Sequence, residues 1–303
     1  MNPHVTVLGT GGTIACTTHA AGDLVPTCSI STLLSHAGIA PEAVTARDVM
    51  QLDSSTMTLA DLDALLVDIH SADGPVVLTH GTDSMEETAM AVDRLLGGPV
   101  VLTGAQRPAD DASPEGPDGP RNLCDAVAAA ATAESPVVAL GGKVVPAYGV
   151  TKVHTTADEA FGSVGEPRPE RLSSGAALSA GPAPLAGLRV DVVPAYQGAE
   201  ASLVDTAVAA GADGIVVAAF GSGNVGVLFD GVRRALDAGI PVVVASRVPA
   251  GGVQLVYGGA GGGRAIARAG VRSAGKLSVP QARMELLCEL AVRRAQQDQA
   301  QQA

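Results

Sequence analysis

Four short runs of small, hydroxyl-bearing and charged residues stand where chemistry would be expected. Gly9-Thr10-Gly11-Gly12-Thr13-Ile14 sets two hydroxyls in a tight glycine turn. A dinucleotide-binding loop would need a third glycine where Ile14 stands, and no phosphate-loop lysine follows. Asp53-Ser54-Ser55-Thr56-Met57 precedes an apolar periodic stretch, and Thr79-His80-Gly81-Thr82-Asp83-Ser84 lies between an apolar run and another such stretch. Val150-Thr151-Lys152-Val153 supplies a lysine beside a threonine. A hydroxyl on a glycine turn, a second hydroxyl next to a carboxylate, and a lysine held in a desolvated cleft make up a set for nucleophilic attack and proton transfer. Read singly, each run has an ordinary explanation. Threonines in turns bond their own backbone, Asp and Ser cap helices, and most lysines are solvated. The six histidines show no i, i+4 pair and no acidic partner pattern, so no metal is expected. No G-x-S-x-G elbow is present.

Positioning these runs requires an α/β framework. Strands are predicted at Val5–Leu8, Val76–Thr79, Val100–Thr103 and Val137–Leu140. Helices are predicted at 59–72, 84–96 and 122–133. In the first of them Leu59, Leu62, Leu66 and Ile69 share a face, with Thr58 and Asp61 as an imperfect capping box. From Gly165 to Gly187 the periodicity fades, and this stretch reads as a linker. The rhythm then resumes, with strands at 190–194, 214–220 and 242–246 and helices at 202–210, 230–238 and 279–295 before a Gln-rich tail expected to fray. The expectation is two doubly wound α/β domains, a larger N-terminal one with a parallel-type sheet (1–164) and a smaller C-terminal one (188–303). Polar clusters at strand ends match the place where open α/β sheets put their sites.

Composition narrows the functional classes. The chain has 303 residues, 47% hydrophobic and only 2% aromatic, with no Trp. Such a core is built from small and branched aliphatics, which suits a parallel sheet under Ala-rich helices. Mean hydropathy is +0.28, yet no run approaches the roughly 18 apolar residues of a membrane span. A net charge of −12 argues against nucleic acid and anionic membrane as partners. No basic or apolar leader precedes the first strand. Cys16, Cys28, Cys124 and Cys288 form no CxxC pair and are expected as thiols in a cytoplasmic protein.

Taken together, the order and spacing of the runs resemble the bacterial-type L-asparaginase family. The resemblance rests on Thr10-Gly11-Gly12-Thr13-Ile14-Ala15, Asp53 to Thr58 and His80 to Thr88. It extends through Gly104-Ala105-Gln106-Arg107-Pro108, Asp118 to Leu123, Thr151-Lys152, Gly221 to Asn224, Ser246 to Pro249 and Pro280 to Arg283. It implies hydrolysis of L-asparagine to L-aspartate and ammonia without cofactor or metal. Thr13 matches the nucleophile, and Thr82, Asp83 and Lys152 match a second catalytic set. Ser54 matches the position that holds the substrate carboxylate, Asp83 also the one that holds its ammonium, and Asn224 a second-domain residue near the site. Ser55 stands where many relatives have Gln or Glu. Family members are dimers or tetramers, with sites between the N-terminal domain of one subunit and the C-terminal domain of its neighbour, so a homo-oligomer is implied. A broader glutaminase-asparaginase, the amidase half of a tRNA-dependent amidotransferase, and a non-catalytic amino-acid or nucleotide-binding module are the competing readings.

Three departures stand out. The stretch Cys16 to Pro26 holds no Tyr, where many relatives have one that donates to the nucleophile, so Thr17, Thr18 or Asp23 must take its place. Gly251 to Arg264 holds no Asp or Glu, where the secreted high-affinity enzymes reach across with an acidic residue. Ala109–Pro117 is longer than in most relatives.

Overall fold

An unbroken run of small and β-branched residues makes Val5–Gly11 (β1) a strand buried at every position. The computed structural model describes residues 4–165 and 181–302. Strand β1 pairs in parallel with Val44–Leu52 (β4) on one side and Val76–Thr79 (β5) on the other. Val100–Thr103 (β6) and Val137–Leu140 (β7) continue the sheet in parallel, and Lys143–Pro146 (β8) closes it antiparallel to β7. The order is β4-β1-β5-β6-β7-β8, so this sheet is mixed rather than wholly parallel. Glycines 141 and 142, both at positive φ, let the chain reverse into β8.

The intervening helices are Ile30–His36 (α1), Leu59–His70 (α2), Met85–Leu95 (α3) and Gly119–Ala130 (α4). The capping box of α2 forms fully. The Thr58 hydroxyl accepts the Asp61 amide, and the Asp61 carboxylate accepts the Thr58 amide at 2.9 Å. Helix α2 stops two residues before Ala72. Helix α4 starts three residues before Asn122, because Pro120 fits its first turn. Two hairpins complete this unit: Cys16–Thr18 (β2) with Leu24–Pro26 (β3), and Val150–Lys152 (β9) with Phe161–Ser163 (β10).

A second unit is built on a parallel sheet of Val190–Pro194 (β11), Gly214–Ala219 (β12), Val242–Ser246 (β13) and Arg272–Ser273 (β14), in that order. Its helices are Ser202–Ala209 (α5), Phe229–Asp237 (α6), Gly263–Arg268 (α7) and Val279–Gln302 (α8). Val204, Ile215, Val217, Leu228, Val232, Val244 and Ile266 form its core. Gly231 lets α6 pass close to α5, since a Cβ there would lie 2.5 Å from the Ala201 carbonyl oxygen. The Gln-rich tail does not fray; α8 runs on to Gln302. Residues 166–180 of the expected linker lie outside the described residues. Among the described residues no helix is long and apolar enough to cross a membrane.

Candidate active site

The glycine turn after β1 is set by backbone-to-backbone contact. Gly11 and Gly12 have φ of +94° and +75°. A Cβ on Gly11 would lie 2.6 Å from the Leu52 carbonyl oxygen, and one on Gly12 would lie 2.5 Å from both Cα and N of Gly81. The Gly12 amide donates to Leu52 O at 3.0 Å. Gly81 in turn presses on Ser54, with 2.4 Å between its notional Cβ and Ser54 Oγ. Gly104, after β6, presses equally closely on His80 O. Four loops at the carboxyl edge of one sheet are thus locked together with no room for a methyl group. That locking brings the Thr13, Ser54 and Thr82 segments side by side. Thr13 opens a single 3-10 turn, Thr13–Ala15, and is half-buried. Its hydroxyl has no hydrogen-bond partner among the described residues.

The second cluster is bonded directly. Lys152 Nζ lies 2.8 Å from Thr82 Oγ1 and 3.2 Å from Asp83 Oδ1. Thr82 is buried, Lys152 is mostly covered, and the Asp83 carboxylate is exposed. Strand β9 delivers Lys152, and α3 begins two residues after Asp83, so both Thr82 and Asp83 sit at the positive end of that helix. Ser84 ties this loop to the Ser54 loop, donating to Ser54 O at 2.8 Å.

Behind the loop is a histidine that sequence reasoning did not place. His80 is fully buried. Its Nδ1 faces the Gly81 carbonyl oxygen at 2.7 Å, which can only accept, so the ring proton resides there; Nε2 then accepts from the Thr88 hydroxyl at 3.0 Å. Burial pushes its pKa down to about 4, against the hydrogen bond to Gly81, so the ring is neutral. The spacing of His80 and Thr88, one strand end and one helical turn beyond it, was the available signal. Asp118 is a second unforeseen anchor. Its carboxylate accepts the Gln106 amide at 2.9 Å, the Arg107 amide at 2.8 Å and the Asn122 side chain at 3.0 Å. Asn122 Nδ2 also donates to Gly104 O, which fixes the loop that bears on His80.

Of the residues singled out from sequence, Thr82, Asp83 and Lys152 are in direct contact, with Thr13 and Ser54 in loops abutting Gly81. Ser55 is exposed, and its amide bonds Asp53 in the turn. Asn224 belongs to the second unit, where its backbone closes a turn on Phe220 and its Oδ1 is enclosed without a hydrogen-bond partner among the described residues.

Comparison with known proteins covers nearly the whole chain. Residues 4–180 match the model of the asparaginase N-terminal domain, and residues 189–303 that of the glutaminase/asparaginase C-terminal domain. The chain belongs to the asparaginase family. It is 36% identical to a probable L-asparaginase of Deinococcus radiodurans, over 98% of this chain and 95% of that one. Identity to L-asparaginase 2 of Escherichia coli is 33%, covering 82% and 79%. Among solved structures, the thermostable L-asparaginase from Thermococcus kodakarensis superposes with a TM-score of 0.78 at 27% identity, covering 97% and 96%. A probable cytoplasmic L-asparaginase from Campylobacter jejuni gives 0.75 at 29% identity, covering 97% and 98%.

Proposed function

We propose that this protein hydrolyses L-asparagine to L-aspartate and ammonia through an acyl-enzyme on Thr13. The observation that carries the reading is the Lys152–Thr82 contact of 2.8 Å beside the Asp83 carboxylate, in a loop whose glycine abuts the turn bearing Thr13. An amide is a weak electrophile, so attack needs a positioned hydroxyl, a route for its proton and donors for the developing oxyanion.

In this scheme Thr13 Oγ1 attacks the side-chain carbonyl carbon, its proton leaves with the ammonia, and the C–N bond breaks to give a threonyl ester. Water attacks that ester next, aided by Lys152 through Thr82, and aspartate departs. A separation of 2.8 Å is short enough for a proton to pass between Lys152 and Thr82. Ser54 holds the substrate carboxylate and Asp83 its ammonium, and Ser55, Thr82 and Asn224 are further substrate-binding residues. No metal or cofactor enters the scheme. The protein acts in the cytoplasm as a homo-oligomer, dimer or tetramer, with a linker at 165–187 between domains 1–164 and 188–303.

Ammonia release from asparagine and from glutamine tests this. Release from asparagine is expected. Comparable rates with both amides would make it a broader glutaminase-asparaginase, and no release from either by folded protein would leave a binding module.

A further inference from the structure

The β2–β3 hairpin starts three residues after Thr13 and is joined to it without slack. Cys16 N donates to Thr13 O, Ala15 N to Gly12 O at 2.9 Å, and the Cys16 thiol to Gly12 O at 3.3 Å. Any shift of β2 is therefore passed to the turn that aims the Thr13 hydroxyl. The hairpin has little apolar hold of its own, since Leu24 and Val25 are exposed. At its inner end Cys16 O accepts from Ala109 N at 2.8 Å. At its outer end Thr18 N donates to Asp110 Oδ2 at 2.7 Å, and the Thr18 hydroxyl lies 3.4 Å from Asp110 Oδ1.

The loop that carries Asp110 is itself braced. Arg107 bonds the Asp158 carboxylate and the Gly116 carbonyl oxygen, its backbone amide is held by Asp118, and Asp111 N donates to Pro108 O at 3.1 Å. Asp158 lies in the connection between β9 and β10, the hairpin that delivers Lys152, and Gly141 packs against its carbonyl. One loop thus touches both arms of the site. It grips the Thr13 arm through Asp110 and the Lys152 arm through Arg107.

We infer that Asp110 is a positioning residue for the nucleophile, holding the hairpin, and through it the Thr13 turn, in register with Lys152. The inference rests on Thr13 acting as proposed above. Thr18, one of three residues expected to replace the missing Tyr, then acts as the receiver of this tie and not as a donor to Thr13.

The test compares Asp110→Ala with Asp110→Asn, since Asn keeps an acceptor for the Thr18 amide. In Asp110→Ala, kcat for asparagine should fall about tenfold or more, because a misplaced nucleophile loses rate steeply with distance. KM should change less than kcat, the melting temperature should stay near wild type, and hydrogen exchange at the Thr18 amide should accelerate. Asp110→Asn should restore most of kcat and the protection. Wild-type kcat in Asp110→Ala, or equal losses in the two variants, overturns the inference, as does unchanged Thr18 protection. If the wild-type protein itself releases no ammonia from asparagine, the proposed reaction fails, and the exchange data still decide whether Asp110 ties the hairpin.

Discussion

The two sheets obey the same β–α grammar and end very differently. At the carboxyl edge of the second sheet, Asn224 apart, the side chains of Ser246 and Arg247 are consumed in building turns. Ser246 Oγ caps the Gly221 carbonyl at 2.5 Å, and Arg247 lies 4.6 Å over the Phe220 ring while bonding Ala195 O. At the edge of the first sheet, glycines do the turn-building by backbone contact. The side chains are thereby released for one another, as in the Lys152–Thr82–Asp83 cluster beside Thr13. Whether side chains at a sheet edge meet one another is thus a property of the turn sequences and not of the fold.

Substitutions can sharpen or break that contrast. Thr13→Ala should lower turnover on asparagine by on the order of 10³-fold or more while circular dichroism stays native. If most activity survives, Thr82 becomes the nucleophile instead. Lys152→Ala should lower turnover by about 10²–10³-fold in the same assay, the range of a lost acid–base group.

A matched pair of glycine changes probes the two units next. Gly12→Ala must fit a methyl group 2.5 Å from Gly81 at positive φ and should cost about 2–4 kcal/mol in denaturant unfolding as well as turnover. Gly231→Ala meets the Ala201 carbonyl at the same distance but in a helix interior. It should cost about 1–3 kcal/mol, with kcat per folded molecule kept. Loss of kcat in both, or in neither, would erase the distinction between the edges.

The smallest effect is acid sensitivity. His80 is held neutral with a pKa of about 4, whereas in the unfolded chain it titrates near 6.5. The unfolded state therefore binds the proton first. The stability from the neutral ring is complete above about pH 6.5 and is lost as pH falls toward 4, at up to about 1.4 kcal/mol per unit. Unfolding free energies at pH 7 and pH 5.5, measured with denaturant, should differ by about 1 kcal/mol more in wild type than in His80→Asn.

What the sequence announced and what it hid follow from burial. Strands β1, β5, β6 and β7 were legible because buried parallel strands read as short apolar runs between glycines and prolines. Strand β4 was missed because Val-Thr-Ala-Arg-Asp-Val-Met-Gln-Leu lies at the sheet edge with most side chains exposed, so no apolar run marks it. The hairpins β2–β3 and β9–β10, with strands of three residues, are too short for a periodicity to register. The Thr–Thr–Asp–Lys set was visible as residue types in order. Its assembly depends on contacts between glycines distant in sequence, which carry no side-chain pattern at all.

That interlock also bears on how such a chain can be re-engineered. Because Gly12, Gly81 and Gly104 each meet another loop at distances no Cβ tolerates, the loops behave as a keyed joint, and a deep mutational scan should leave those three rows almost blank. Tolerance should be concentrated where side chains leave the joint, along the solvent face of the Thr17–Val25 hairpin. A library aimed at altered amide selectivity therefore gains more from diversity at those positions than from any change in the glycine turns beneath them.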